Sequence, residues 1–444
     1  MSKAIQLSEH FNYQKLLRFT LPSVIMMIFT SIYGVVDGIF VSNFVGKTPF
    51  AAINLIMPVC MLMGAVGFMV GTGGSALVSK TLGEGKIQEA NRIFSMLIYL
   101  SGIFGILISA AGFLLIEPIS IALGAEGEML DSCVLYGRIL LPVTVAFILQ
   151  NEFQSFLIVA ERPQLGLAVT VAAGVTNIVL DALFVVVFRW GLAGAAVATA
   201  ISQLVGGAFP LIYFIVSKTS VLRLTGTRFN GRALLKTCTN GSSEMMTNLS
   251  MSIVNILYNF QLIRFAGEDG IAAYGVIMYL NFVFISVFLG YSVGSAPIIS
   301  FHFGAENQWE LKNLFQKSIK IIVVCSVSMT IFGVLLARPL SSIFVGYDAQ
   351  LLTMTQRGMI IYCLSFLFNG INIFGSAFFT ALNNGVVSAV ISFLRTLLFQ
   401  IAAVLVLPIF LKLDGIWLSI IVAELLSLVV VLVFFVKMRP KYGY

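Results

Sequence analysis

Five acids sit inside long apolar runs: Asp37, Glu152, Asp181, Glu244 and Glu424. A carboxylate is costly in such a run, so each marks a place where something is bound, paired or moved. Asn177 and Asp181 are four residues apart and share one helix face. Thr199, in the next run, adds a hydroxyl, and Asp37 meets the set from the first run. Two carboxylates held close in a low dielectric do not both ionise cheaply, so the pair can carry a proton and release it when a water path opens. Two carboxylates, an amide oxygen and a hydroxyl also make a hard-oxygen cage for sodium. The plainer alternative is that the acids pair with buried donors or face a wet cavity passively. For Asp37, Asn177, Asp181 and Thr199 the expectation is cation coupling, by proton or sodium.

A second constellation lies further along. Glu244, Asn248, Ser252, Asn255 and Asn259 recur at helical spacing and line one face. Ser365, Asn369, Asn372 and Ser376 form a similar stripe, echoed by Thr144, Asn151 and Ser155. Such rows build polar cavity walls, or else serve as hydrogen bonds between helices at about 0.6–2 kcal/mol each. Glu244, Asn248, Asn255, Asn369, Asn372 and Asn151 are the expected substrate-cavity residues. Glu424 is expected to pair with Arg395. Met26, Met57, Met61 and Met245 offer soft surface for varied apolar cations, although methionine is also ordinary core filler.

These residues need apolar helices to hold them. The chain has 444 residues, 59% hydrophobic and 10% charged, with mean hydropathy +1.01. A water-soluble domain carries more charge than this, and a bilayer core needs about 20 apolar residues per helix. The reading is an all-α polytopic membrane protein with twelve spans, at roughly 16–44, 50–79, 93–116, 132–160, 165–188, 192–217, 237–263, 271–300, 320–344, 352–381, 386–411 and 414–436. Pro22 lies inside the first span, where it removes a backbone hydrogen bond and can kink the helix below Asp37. Most of the 26 basic residues fall on one side, including Lys3, Lys86, Arg162, Lys218, Arg232 and Lys441. The positive-inside rule then places both termini in the cytoplasm, and the surplus charge suits contact with membrane lipids rather than nucleic acid. Residues 1–14 are polar, so no cleavable signal peptide is expected.

The sequence also repeats. At a shift of 221 residues Gly73, Ser79, Gly83 and Phe94 fall on Gly294, Ser300, Gly304 and Phe315, and Pro118 falls on Pro339. This predicts two parallel six-helix repeats, an N-lobe (1–217) and a C-lobe (237–444), joined by a basic cytoplasmic linker (218–236) around a central cavity. Transporters place substrate between such repeats and rock one against the other.

Enzyme chemistry has little material. The only histidines are His10 and His302, and the five cysteines are scattered singly, so neither a metal cluster nor a nucleophile with its base is expected. No organic or metal cofactor is expected beyond the coupling ion. Nothing reads as a selectivity filter.

Taken together, Pro22 and Asp37, Asn177 and Asp181, Thr199, the Gly83-Glu84-Gly85 turn and its echo Gly304-Ala305-Glu306 resemble the multidrug and toxic compound extrusion (MATE) family. The length and the start of the seventh span at Gly241–Glu244 are most similar to its MepA-like bacterial branch. The resemblance implies an inner-membrane antiporter in which inward proton or sodium flow drives export of bulky organic cations by alternating access. Two lobes in one chain suffice for that, so a monomer is expected. The resemblance assigns Asp37, Asn177, Asp181 and Thr199 to the cation and Pro22 to the accompanying bend. The rival is a lipid-linked oligosaccharide flippase of the same superfamily, which would want arginines in the cavity; the buried charge here is mostly acidic.

Overall fold

Apolar runs can satisfy their amides inside lipid only as helices, and helices form. The computed structural model describes residues 5–217 and 219–444, so the expectations resting on Lys3 and Lys218 lie outside the described residues. In chain order the helices are α1 (Tyr13–Phe44), α2 (Lys47–Gly83), α3 (Ile87–Ala122), α4 (Gly127–Leu140), α5 (Thr144–Val159), α6 (Pro163–Asp181) and α7 (Gly191–Val216). They continue with α8 (Gly231–Gly304), α9 (Gln308–Val345), α10 (Ala349–Cys363), α11 (Phe366–Ala381), α12 (Gly385–Phe393) and α13 (Phe399–Tyr442).

Among the described residues, nine helical stretches are long and apolar enough to cross a bilayer, and α10 with α11 adds a tenth, bent by 48°. Two of the nine are double crossings. An unbroken α8 would be about 110 Å long, several times the bilayer core. It breaks at Gly267, where φ is 62°. The loop expected between 263 and 271 is therefore a single break, with helix running up to it from both sides. α13 breaks in the same way at Lys412, where φ is 52°. Twelve crossings result, as expected, and the described ends, Ile5 and Tyr444, lie on one side, the terminal side.

The repeat is written into the turns. Positive φ recurs in pairs: Gly46 with Gly267, Gly85 with Glu306, Glu161 with Asn383, and Arg189 with Lys412. Each pair is separated by 221 to 223 positions.

The same offset relates the contacts that close the terminal side. Ser79 Oγ donates to the Pro297 carbonyl at 2.6 Å, and its counterpart Ser300 donates to the Ala76 carbonyl at 2.6 Å. Gly83 lies against the Phe301 carbonyl, and its counterpart Gly304 against the Lys80 carbonyl. A Cβ on either glycine would strike the opposing backbone, which cannot swing away as a side chain can. Asn383 Nδ2 also donates to the Ala76 carbonyl, at 3.2 Å. The ends of α2 and α8 thus meet about a pseudo-two-fold axis. Gly83→Val or Gly304→Val is expected to wedge this contact open, as overpacking costs roughly 1–3 kcal/mol. That corresponds to about 5- to 150-fold in the closed-to-open ratio. Thiol labelling of Ala76→Cys, a buried position, checks it: labelling should quicken in the wedged variants, and equal rates would contradict the expectation.

Two segments outside the spans are tied down. Residues 5–12 form a strap in which Leu7 and Phe11 are buried. The Leu7 N–H donates to Glu161 Oε1 at 2.7 Å, and the Phe11 N–H to Glu310 Oε1 at 2.9 Å. His10 Nδ1 lies 2.6 Å from Glu310 Oε2. The strap therefore links the α5–α6 turn to the start of α9. The basic stretch after α7 lies along α3: the Arg223 N–H donates to Asn91 Oδ1 at 2.6 Å, and the Thr225 N–H to Ser95 Oγ at 2.8 Å.

Candidate cation and substrate site

α1 carries Asp37 toward α6, its packing partner, and remains one helix through Pro22. α6 ends at Asp181, and the next six residues, Ala182–Val187, wind as π-helix. A π segment shifts the register of the side chains around it and is common at functional sites. The carboxyls of Asp37 and Asp181 come within hydrogen-bonding reach of each other. Asp181 is fully buried, while Asp37 keeps some accessible surface. Neither Asp181 oxygen, nor Asp37 Oδ1, has a donor among the described residues. Ionised carboxylates only accept hydrogen bonds, so two that face each other lack the bridging group; a proton or a cation completes the contact.

The other two expected members stand at the same place. Asn177 is buried one turn before Asp181, and its Nδ2 lies 3.5 Å from Thr199 Oγ1. The Thr199 hydroxyl donates to its own helix at the Ala195 carbonyl, at 3.0 Å, so its oxygen faces the Asn177 amide as an acceptor. The structure adds Tyr136 of α4, which is buried, reaches Thr199 and lies in electrostatic range of both aspartates. Sequence reasoning missed it. Its one signal was a phenol inside an apolar span, where the hydroxyl needs a partner.

Glu152 of α5 is a second buried acid in this half, with the Ser101 hydroxyl of α3 beside its carboxyl. Asn151 is buried next to it.

In the other half one ion pair dominates. Arg395 Nε donates to both Glu424 oxygens, at 2.9 and 3.0 Å. Asn372 Nδ2 donates to Glu424 Oε2 at 2.7 Å and to the Glu424 carbonyl at 2.8 Å. Asn369 Oδ1 accepts from Arg395 at 3.0 Å. Arg395 lies in the second π segment, Leu394–Leu398, so both π segments occur at a buried charge. The expected Glu424–Arg395 pair forms. Asn369 and Asn372, expected on a cavity wall, are instead buried and engaged in this conformation. A buried ion pair holds only when further hydrogen bonds satisfy it, and the two asparagines supply them.

Glu244 differs. It lies deep in α8, within electrostatic range of Arg395, yet keeps accessible surface. Asn248 is partly accessible one turn on, its Nδ2 donating to the Glu244 carbonyl at 2.9 Å. Asn255 accepts from the Tyr274 hydroxyl at 2.9 Å. Further along the same helix Met251, Ile256 and Phe260 are exposed. Glu244 and Asn248 thus form an accessible polar stripe leading to apolar surface.

The family profile described as MatE matches this chain twice, over residues 22–183 and 245–405. The chain is 25% identical over 368 residues to the multidrug export protein MepA of Staphylococcus saprophyticus, covering 81% of this chain and 80% of that one. Among solved structures, a multidrug resistance MATE family transporter in an outward-facing conformation superposes with a TM-score of 0.91 at 24% identity, covering 100% of this chain and 98% of that one. A transporter from Pyrococcus furiosus, described as having a binding pocket of reverse polarity and a suggested different function, gives 0.92 at 23% identity, covering 100% and 99%.

Proposed function

This chain belongs to the MatE family of multi-pass membrane transporters, and from that premise we propose that it is a cation-coupled exporter of bulky organic cations. The observation that carries the reading is the aspartate pair: Asp37 and Asp181 face each other across α1 and α6 with no donor to Asp181 among the described residues. Such a pair suits a proton or a small cation bridging its oxygens. The residues fit a proton or a sodium ion equally by chemistry, since Asn177 and Thr199 add two further oxygens. Cation entry there biases the α1–α6 contact, and Pro22, four turns below, is where α1 would bend. The partly accessible acid Glu244 suits the positive charge of an organic substrate, and Arg395 is neutralised by Glu424, which speaks for cations over the anionic headgroup of a lipid-linked sugar. In this reading both termini and the basic stretch after α7 face the cytoplasm of a bacterial cell, and the closed terminal side is the inner one. Export then alternates between closure at the α2–α8 glycines and closure at the opposite end.

The test is dye accumulation in bacteria deprived of their own exporters. Cells making this protein should hold less ethidium, and an ionophore that dissipates both proton and sodium gradients should restore it. Equal accumulation with and without the protein in the membrane would overturn the proposal. Within it, Glu244→Gln should raise the KM for a monocationic dye by about tenfold, the worth of one charge-assisted contact, and spare a neutral substrate.

A further inference from the structure

A cavity of about 520 Å³ lies outside the aspartate site, at the terminal-side feet of α1, α6 and α7. Its polar wall carries two guanidinium groups, Arg18 of α1 and Arg162 at the cap of α6, with Tyr213 of α7. Its apolar wall includes Phe19 and Leu165, and the residue 5–12 strap reaches it at Ile5. One acid, Glu161, also lines it. That acid is engaged with the Leu7 N–H at 2.7 Å. Burial pushes its carboxyl up, against the pull of Leu7 and of neighbouring Arg162. Glu9 of the strap also lies within electrostatic range of Glu161 and is paired with Lys15 at 2.7 Å. Among the described lining residues, two guanidinium groups thus stand against one carboxylate.

The cavity continues onto lipid-facing surface. Leu21 and Ile25 lie three and seven residues after Arg18, on the same helix face, and both are exposed. On α6, which packs beside α1, Val175 and Val179 are exposed four residues apart. A charged pocket thus opens at the membrane edge beside an apolar track running toward the bilayer centre.

We propose that this cavity binds the phosphate headgroup of an anionic phospholipid, with an acyl chain laid along Leu21, Ile25, Val175 and Val179. Charge complementarity selects the headgroup, because basic pockets between membrane helices take anionic lipids. The apolar track selects a lipid over free phosphate. The bound headgroup bridges α1 to α6, the two helices that bring Asp37 and Asp181 together. The site rests on the membrane placement of the chain and not on which ion or dye it moves, so a binding assay without transport separates the two proposals.

The experiment is native mass spectrometry of the full chain in detergent micelles, with thermal unfolding alongside. Probes are phosphatidylglycerol, phosphatidylcholine and inorganic phosphate. Phosphatidylglycerol should be retained and should raise the melting midpoint, while phosphatidylcholine and phosphate do neither. Arg18→Gln and Arg162→Gln should each weaken phosphatidylglycerol binding about 5-fold, and the double variant about 30-fold. Arg232→Gln, an exposed position on the same side beyond the cavity, should change nothing. Gel filtration and helical circular dichroism establish that the variants fold; if the double variant does not, the single Arg162→Gln, at an exposed turn, decides. Equal binding of the two lipids, or wild-type phosphatidylglycerol binding by folded arginine variants, overturns the proposal. Stabilisation by phosphate alone overturns the lipid as occupant.

Discussion

Asp181→Asn is expected to abolish gradient-driven export while leaving dye binding intact. Asparagine keeps the shape of the carboxylate but cannot take up and release a proton or neutralise a bound sodium ion. The loss in transport rate should approach 100-fold, toward the upper end of coupling between distinct sites. The dye dissociation constant should move by less than the roughly fivefold at the lower end of that range. Asp37→Asn should behave alike, and the double variant should be little worse than either, because residues that act as a unit are not additive. Dye polarisation on purified protein reads binding, and dye release from vesicles reads export. An Asp181→Asn variant that exports at the wild-type rate would move the coupling site elsewhere, with Glu244 the next acid to test.

The second large effect is on stability. Glu424→Ala leaves Arg395 charged and largely buried, with Asn369 to accept from it and Glu244 only within electrostatic range. Removing one partner of a buried pair costs about 3–5 kcal/mol. The double variant Arg395→Met/Glu424→Leu removes both charges at similar volume and should recover most of that loss, since a well-packed apolar pair is often as stable. Thermal unfolding in detergent reads the order: wild type and double variant close together, Glu424→Ala well below. If the single variant melts with the wild type, the ion pair does not hold this half together.

Much of the architecture was legible in the residues. Runs of about 20 apolar residues must be helices in lipid, and a shift of 221 positions exposed a repeat that the paired positive-φ turns and the reciprocal Ser79 and Ser300 contacts then displayed. The breaks at Gly267 and Lys412 were legible in position, because Arg264, Glu268 and Asp269, and then Lys412 and Asp414, interrupt the apolar runs. That a single residue turns the chain at each, with helix on both sides, was not. The strap of residues 5–12 was also opaque: its composition is polar, and only its partners Glu161 and Glu310 explain why Leu7 and Phe11 are buried. That Asp37, Asn177 and Asp181 would be drawn together was legible because an acid in an apolar span and a four-residue spacing are local signals; Thr199 offered only a hydroxyl in the next span. Tyr136 was not legible, since a single phenol in an apolar span has no spacing that ties it to the aspartates. Asn369 and Asn372 read as a polar stripe on α11, but the same pattern serves a cavity wall or an ion pair. The choice depended on Arg395 and Glu424, 26 and 52 residues away from Asn369 and Asn372 respectively.

The most direct measurement is dye export by purified protein in sealed vesicles, with a pH gradient or a sodium gradient imposed separately. The aspartate pair as coupling site predicts that at least one gradient drives export in the wild type and that Asp181→Asn responds to neither. If neither gradient moves a cationic dye while the protein is folded and correctly oriented, cation-coupled export is contradicted, and transport of a lipid-linked sugar becomes the reading to test.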